Sequence, residues 1–280
     1  MRVDPGRTYP AKEYWTALAQ GDASADASGF APVLHPDAPA WFNRLIDDLQ
    51  YRAIRRALAV CGAVAGASIL DVGCGTGRWV RRYQELGLHA IGIDATLPML
   101  RLARARGTTA PVVVGEAQRL PFADGQFDFV SDITVTQHIP TSVQAEAFGE
   151  LVRVMKPGGR LILMELIRGD GPHIFPRSVR GWVEQATALG LKLTGWFGQE
   201  YMLLDRLFVH TVRAITARNG NSTVAPQIPE RSATRQLPVA RRLFWAFRHV
   251  TAPISAWADP LVERICPGEA ATHAVFIFQK

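Results

Sequence analysis

From Ser68 onward the chain alternates short apolar runs with stretches in which apolar residues return every three or four positions. The runs Ser68 to Val72, His89 to Ile93, Val112 to Val114, Phe127 to Asp132 and Leu161 to Glu165 read as strands, mostly buried. Between them, Trp79, Val80, Tyr83 and Leu86 mark one helix, and Leu97, Met99, Leu100 and Leu102 a second. Val143, Ala147, Phe148, Leu151 and Val154 mark a third. Pro157-Gly158-Gly159 predicts a sharp reversal into the fifth strand, after which a helix over Ser178–Leu189 and a strand over Leu191–Trp196 follow. Strand and helix in alternation predict an open, mostly parallel sheet covered by helices. A last apolar run, His273 to Phe278, comes only after residues 197–271.

The flanks are less regular. Residues 1–39 read as an N-terminal segment or cap. It holds a short helix over Tyr9–Ala19, a Gly/Ala/Ser/Asp loop from Gly21 to Gly29, and a stretch kept extended by Pro32, Pro36 and Pro39. A helix starts near Ala40, with Trp41, Leu45, Leu49, Ile54 and Leu58 as its apolar stripe. Residues 197–271 contain helical runs at Tyr201–Ala217, Val239–His249 and Ile254–Ile265, around an Asn/Gly/Ser/Pro stretch at 219–229.

The first strand runs into Asp71-Val72-Gly73-Cys74-Gly75-Thr76-Gly77, three glycines at alternate positions ahead of a helix. Glycines accept positive φ there and leave bare backbone for a ligand, beneath the free amides of the helix N-terminus. The spacing is G-x-G-x-G, so the third glycine of a dinucleotide-binding turn is out of place. Asp94 ends the second strand, 17 residues past Gly77. A carboxylate there either accepts hydrogen bonds from a ribose diol or caps the next helix.

Leu70-Asp71-Val72-Gly73-Cys74-Gly75-Thr76-Gly77 closely resembles the first motif of the class I S-adenosylmethionine-dependent methyltransferases. The phrases around Asp94, Glu116-Ala117, Asp124 to Asp132, Val135 to Ile139 and Met155 to Glu165 resemble that family in the same order, over residues 68–165. The resemblance implies an α/β, Rossmann-like fold, a doubly wound seven-stranded sheet, mostly parallel with an antiparallel last strand. That core takes in residues 40–196 plus 272–280, and 197–271 is then a helical insertion before the last strand. It further implies that Asp71, Gly73, Cys74, Gly75 and Gly77 form the turn under the methionine part of S-adenosylmethionine. Asp94 would hold the ribose beside Ala95 and Met99, Glu116 and Ala117 would flank the adenine, and Asp132, Ile133 and Gln137 would complete the cofactor site. Family members carry N-terminal helices over this pocket, although Tyr14 and Trp15 read here as ordinary packing of a terminal helix.

Ligands of open parallel sheets bind beyond the carboxyl ends of the strands, which directs attention to Asp132 through His138 and to Glu165. His138 is the first candidate for a general base, because imidazole titrates near neutrality. Glu165 is placed in the same crevice, to orient an amine or hydroxyl or to serve as the base. His173, in the loop 168–177, is a weaker second base.

Composition narrows the partners. The chain has 280 residues, 48% of them hydrophobic, and a net charge of +6. Cys61, Cys74 and Cys266 have neither disulfide nor zinc spacing, and no metal is expected. The absence of an apolar leader or a long apolar span predicts a soluble cytoplasmic protein. Between Tyr201 and Pro267 nine arginines face four acids, amid many apolar residues. The insertion is then a helical subdomain or homodimer contact, a lid over a greasy or anionic acceptor, or a peripheral membrane contact. Nucleic acid is not expected, since no binding motif or lysine stripe occurs. The expected activity is methyl transfer to an O, N or C nucleophile of a small apolar or anionic metabolite, of secondary-metabolism type, with S-adenosylhomocysteine as product. The lack of an Asn/Asp-Pro-Pro-Tyr phrase favours such small acceptors. The alternatives are a non-methylating enzyme such as a cyclase, a cofactor-gated binding protein, or a methyltransferase for lipid-linked substrates at a membrane.

Overall fold

The computed structural model describes residues 11–21, 29–169, 171, 173–218 and 238–280. Seven strands form one sheet: β1 (Ser68–Val72), β2 (His89–Asp94), β3 (Val112–Val114), β4 (Phe127–Ile133), β5 (Met155–Leu166), β6 (Lys192–Gln199) and β7 (His273–Gln279). Their order is β3-β2-β1-β4-β5-β7-β6, and only β7 runs antiparallel to its neighbours. Leu70 pairs with Ile91 on one side and Val130 on the other, so the strand order reverses at β1. A reversal of this kind opens a crevice beyond the strand ends.

Both faces of the sheet are covered, because successive side chains alternate. Leu161 and Leu163 point to the face packed by Phe148, Leu151 and Val154 of α5 (Thr141–Val154) and by Trp182 of α6 (Val179–Thr187). Ile162 and Met164 point to the other face, under α2 (Ala40–Val60) and α3 (Arg78–Glu85). Helix α4 (Leu97–Ala105) contributes Leu100 to that second cluster. Each predicted strand and core helix is present, so the doubly wound sheet with a late antiparallel strand is as expected.

Several local expectations are corrected. Val112 to Val114 is a half-exposed edge strand, not a buried one, because β3 pairs only with β2. The Pro32–Pro39 stretch folds into turns, with Val33 and Leu34 both donating to the Phe30 carbonyl, and is not extended. In α2 the expected Leu49, Ile54 and Leu58 are buried together with Phe42, Ile46, Ala53 and Ala57, and only Trp41 and Leu45 of the expected stripe are half-buried on its flank. Pro157-Gly158-Gly159 lies within β5, where the pairing with β4 shifts register, and does not stand as a separate turn. Most of the Gly21–Gly29 loop and the 219–229 stretch lie outside the described residues.

The chain between β6 and β7 holds α7 (Leu203–Arg218) and α8 (Pro238–Ile265). Two predicted helical runs are one 28-residue helix, despite Pro253 and Pro260 inside it. Proline removes a helical hydrogen bond but does not end a helix that packing holds in line. Ala252 and Ala256 of α8 seat against Phe42, Ile46 and Leu49 of α2 and supply that support. Helix α1 (Ala11–Gln20) lies across the carboxyl ends of the strands, beside α4.

Candidate functional site

A cavity of about 300 Å³ opens above β1, β2 and β4 and is covered on one side by Ala11, Lys12 and Trp15 of α1. Its floor is the glycine turn. Gly73 has φ 65°, and a Cβ there would come within 2.4 Å of the Val135 side chain. Gly77, at φ 72°, begins α3, and a Cβ on it would meet Thr108 at 2.3 Å. Gly75, at φ 51°, would likewise bring a Cβ within 2.7 Å of Val33, so all three glycines are favoured by positive φ and by close approach of neighbouring side chains, before any ligand is considered. Gly73, Cys74 and Gly75 line the cavity, whereas Gly77 is set behind it.

Asp94 also lines the cavity, and its carboxylate is tied into the start of the next helix. Its Oδ1 accepts from the Thr96 amide at 2.9 Å and hydroxyl at 2.7 Å, fixing the start of α4. Its Oδ2 accepts from the Gly75 amide at 2.9 Å, tying the second strand to the glycine turn. A carboxylate offers about four acceptor positions, so one remains for a ligand hydroxyl. Burial pushes this carboxyl above the usual range, opposed by the bonds from Thr96 and Gly75. Ala95, Met99, Glu116, Ala117 and Ile133 line the cavity as expected.

Besides Gly77 and His173, four residues expected at the cofactor or acceptor do not line the cavity. Asp71 is 1% exposed beneath the turn, accepting from the Ser131 hydroxyl at 2.9 Å through Oδ1, while Oδ2 has no partner. Burial raises its pKa to about 7. Asp132 turns inward to the Thr136 amide and hydroxyl. Gln137 is buried, its Oε1 taking the Leu166 amide at 2.7 Å.

The fourth is Glu165, which does not face the crevice. It is fully buried, and its two oxygens accept from the amides of Val135 (3.0 Å), Thr136 (2.9 Å) and Gln137 (3.0 Å). Thr134, in the left-handed region at φ 59°, turns the chain so that these successive amides converge. Such a run of N–H groups is an anion-binding concavity, filled here by the protein's own carboxyl. Burial, with Asp132 beside it, raises the Glu165 carboxyl well above its usual range. Glu165 is therefore a brace for the loop after β4, and the acid–base or orienting role expected of it is withdrawn.

His138 does line the cavity, with both ring nitrogens engaged. Because the Leu166 amide claims Gln137 Oε1, the Gln137 NH2 group faces the ring and donates to His138 Nε2 at 3.2 Å. Nδ1 then carries the proton and donates to the His173 carbonyl at 2.9 Å. Burial, foremost, lowers the His138 pKa to about 4. His173 stacks on Tyr14 with centroids 4.5 Å apart and on His138 at 5.3 Å, and Trp15 meets His138 edge-on at 5.1 Å. His173 thus links α1 to the site wall rather than facing a substrate, and Trp15 is cavity wall rather than simple packing.

Two features had no signal in the spacing. Arg78, the first residue of α3, lines the cavity while 5% exposed, its guanidinium donating to Asp47 of α2 at 2.7 Å. Gln144 of α5 gathers the carbonyls of Thr136, Ile139 and Phe175 and so ties the cavity loop to the chain after β5. Among the described residues no residue of α7 or α8 lines this cavity, and the helix that covers it is α1. No described cluster of His, Cys, Asp and Glu has the makings of a metal site.

Residues 70–163 match the methyltransferase-domain family. The chain is 36% identical over 124 residues to the demethylmenaquinone methyltransferase of Renibacterium salmoninarum, covering 44% of this chain and 52% of that one. It is 32% identical over 126 residues to the malonyl-acyl-carrier-protein O-methyltransferase of Pseudescherichia vulneris, covering 45% and 49%. The chain thus spans about half the length of these curated relatives. Among solved structures, the cyclase SpnF shares the fold, with a TM-score of 0.52 at 19% identity over 82% of this chain and 80% of that one. The segment 70–163 thus matches a methyltransferase domain, and the seven-stranded sheet that contains it has the Rossmann-like fold of the class I S-adenosylmethionine-dependent methyltransferases.

Proposed function

We propose that the cavity binds S-adenosylmethionine and that the protein transfers its methyl group to an O, N or C nucleophile of a small, largely apolar acceptor. The observation that carries this reading is one cavity joining the glycine turn and Asp94 to a wall of Trp15, Val33, Val135, Ile139 and Pro140. A volume of about 300 Å³ lies at the small end of ligand pockets. The residues present fit the cofactor. Gly73 and Gly75 offer backbone without side chains, Asp94 keeps one acceptor position for a ribose hydroxyl, and Glu116 stands beside Gly115 and Ala117 for a base. Arg78 brings a guanidinium suited to a carboxylate.

The cofactor supplies a methyl group already on a sulfonium leaving group. The chain's own share is then alignment and exclusion of water. His138 is neutral above about pH 4, and its Nε2 lone pair is held by Gln137. It shapes the acceptor wall and takes a proton only by giving up that bond, which favours acceptors whose nucleophile needs no strong base. The relatives are named for demethylmenaquinone and for a malonyl carrier protein, two unlike acceptors on one shared domain. Acceptor choice then depends on side chains that vary on the acceptor wall, together with α1 and the turns around Val33 outside the match.

Isothermal calorimetry with S-adenosylmethionine and S-adenosylhomocysteine tests the first half of this reading, and absence of heat with both ends it. Mass spectrometry on trial phenol, carboxylate and enol acceptors tests the second. A product heavier by one methyl, with S-adenosylhomocysteine released, is expected. A product isomeric with its substrate transfers the protein to the cyclase class.

A further inference from the structure

Helix α8 carries an apolar stripe that nothing in the fold described so far requires to be exposed. Leu243, Phe247, Val250, Ile254, Trp257 and Leu261 recur at alternating steps of four and three and are all exposed, Phe247 with one ring face stacked on Phe208 of α7. Trp257 is 83% exposed. The opposite face of the same helix, through Ala252, Ser255, Ala256 and Asp259, is the one packed on the rest of the protein.

Charge identifies what the stripe fits. The three acids of α7 and α8 are all held by the protein. Asp205 is paired with Arg248 at 2.5 Å, Asp259 accepts the amides of Tyr201 and Met202, and Glu263 is paired with Arg56 at 2.5 Å. Among the described side chains, the charged ones left exposed along α8 are Arg242 and Arg264, one toward each end of the stripe. We infer that this face of α8 lies flat on an anionic lipid bilayer, its apolar residues in the acyl boundary and its arginines at the headgroups. An exposed tryptophan suits the interfacial zone. No helix among the described residues is long and apolar enough to cross a bilayer, so the contact is along the surface.

A second copy of the chain fits less well. Two such faces set together would bring arginines against arginines with no exposed acid on α8 to answer them. Pro253 and Pro260, both exposed beside the stripe, also interrupt the regular backbone that a helical seam requires. The location is functional in consequence. Helix α8 packs on α2, whose leading segment carries Val33 into the cavity wall, so a surface-bound protein keeps its site one packing layer from the lipid.

Co-sedimentation of the full chain with vesicles of phosphatidylcholine mixed with phosphatidylglycerol, and of phosphatidylcholine alone, tests the inference. Binding to the mixed vesicles, weakening as salt rises, is expected. Arg242→Glu combined with Arg264→Glu should lower the partition coefficient about 30-fold or more. Trp257→Asp combined with Leu261→Asp should abolish binding, while calorimetric cofactor affinity and the far-ultraviolet spectrum match the wild type. Vesicle binding needs no cofactor, so its outcome is separate from that of the methyltransferase reading. Equal retention on both vesicle types overturns the inference, as does a concentration-dependent dimer that Trp257→Asp dissolves. So does a Trp257 signal, taken by difference from Trp257→Phe, that is shielded from acrylamide without vesicles, which would mean that residues 219–237 cover the stripe.

Discussion

Asp94 already receives three hydrogen bonds from the protein, so its replacement acts on the site and on the turn together. Asp94→Asn keeps one acceptor oxygen and removes the charge, and should weaken S-adenosylmethionine about 10- to 100-fold by calorimetry, in line with the loss of one charge-assisted bond. Asp71 is the opposite kind of carboxyl, close in sequence yet sealed below the floor. Its folded pKa of about 7 lies above the ordinary value of about 3.9, so the native chain takes up a proton as pH falls through 7. Wild-type stability from this group is present near pH 4 and lost as pH rises through that window. The Tm of Asp71→Asn, relative to wild type, should therefore climb between about pH 4 and 7 and level off above. For His138, an imidazole held neutral by burial predicts no inflection in kcat near pH 6.5 and at most about a tenfold loss in His138→Ala, short of the usual effect of removing a general base.

At the scale of elements, the loop after β4 is held by a single side chain from the next strand. Glu165 satisfies three buried amides of Val135, Thr136 and Gln137. Glu165→Ala should cost about 3 to 5 kcal/mol in urea denaturation, because those donors lose their acceptor inside the protein. Glu165→Gln, which can still accept, should cost less and leave the pH dependence of turnover unchanged. The strands and core helices were legible in the sequence because burial imposes its period directly on side-chain character. The inward carboxylates were not, because Asp71, Asp132 and Glu165 stand at the carboxyl ends of strands just as the cavity-lining Asp94 does. Which of them meets the cavity depends on where neighbouring amides converge, and the left-handed turn at Thr134 settles that for Glu165.

Across the whole molecule, the cavity is completed by parts far apart in the chain. Helix α1 brings Lys12, bonded to Glu116 at 3.3 Å, and Trp15, set against His138, onto a floor built from residues 72–140. Removing residues 1–20 should lower cofactor affinity on the order of tenfold by calorimetry, through lost apolar cover, with the circular dichroism of the sheet retained. Helix α8, by contrast, stands on α2 and does not line the cavity, so its substitutions should register in surface binding before they register in cofactor affinity.

The amino-acid sequence alone determined the doubly wound sheet, the glycine turn and the acid at the tip of β2, since strand and helix periods and turn chemistry are local properties of the chain. Only tertiary structure decided that Glu165 is a brace, that His138 is fixed as a neutral Nδ1–H tautomer, that α1 lies over the cavity, and that α8 turns an apolar stripe outward. Each of these depends on which distant donor, ring or helix occupies the space beside a side chain, and spacing along one chain carries no record of that.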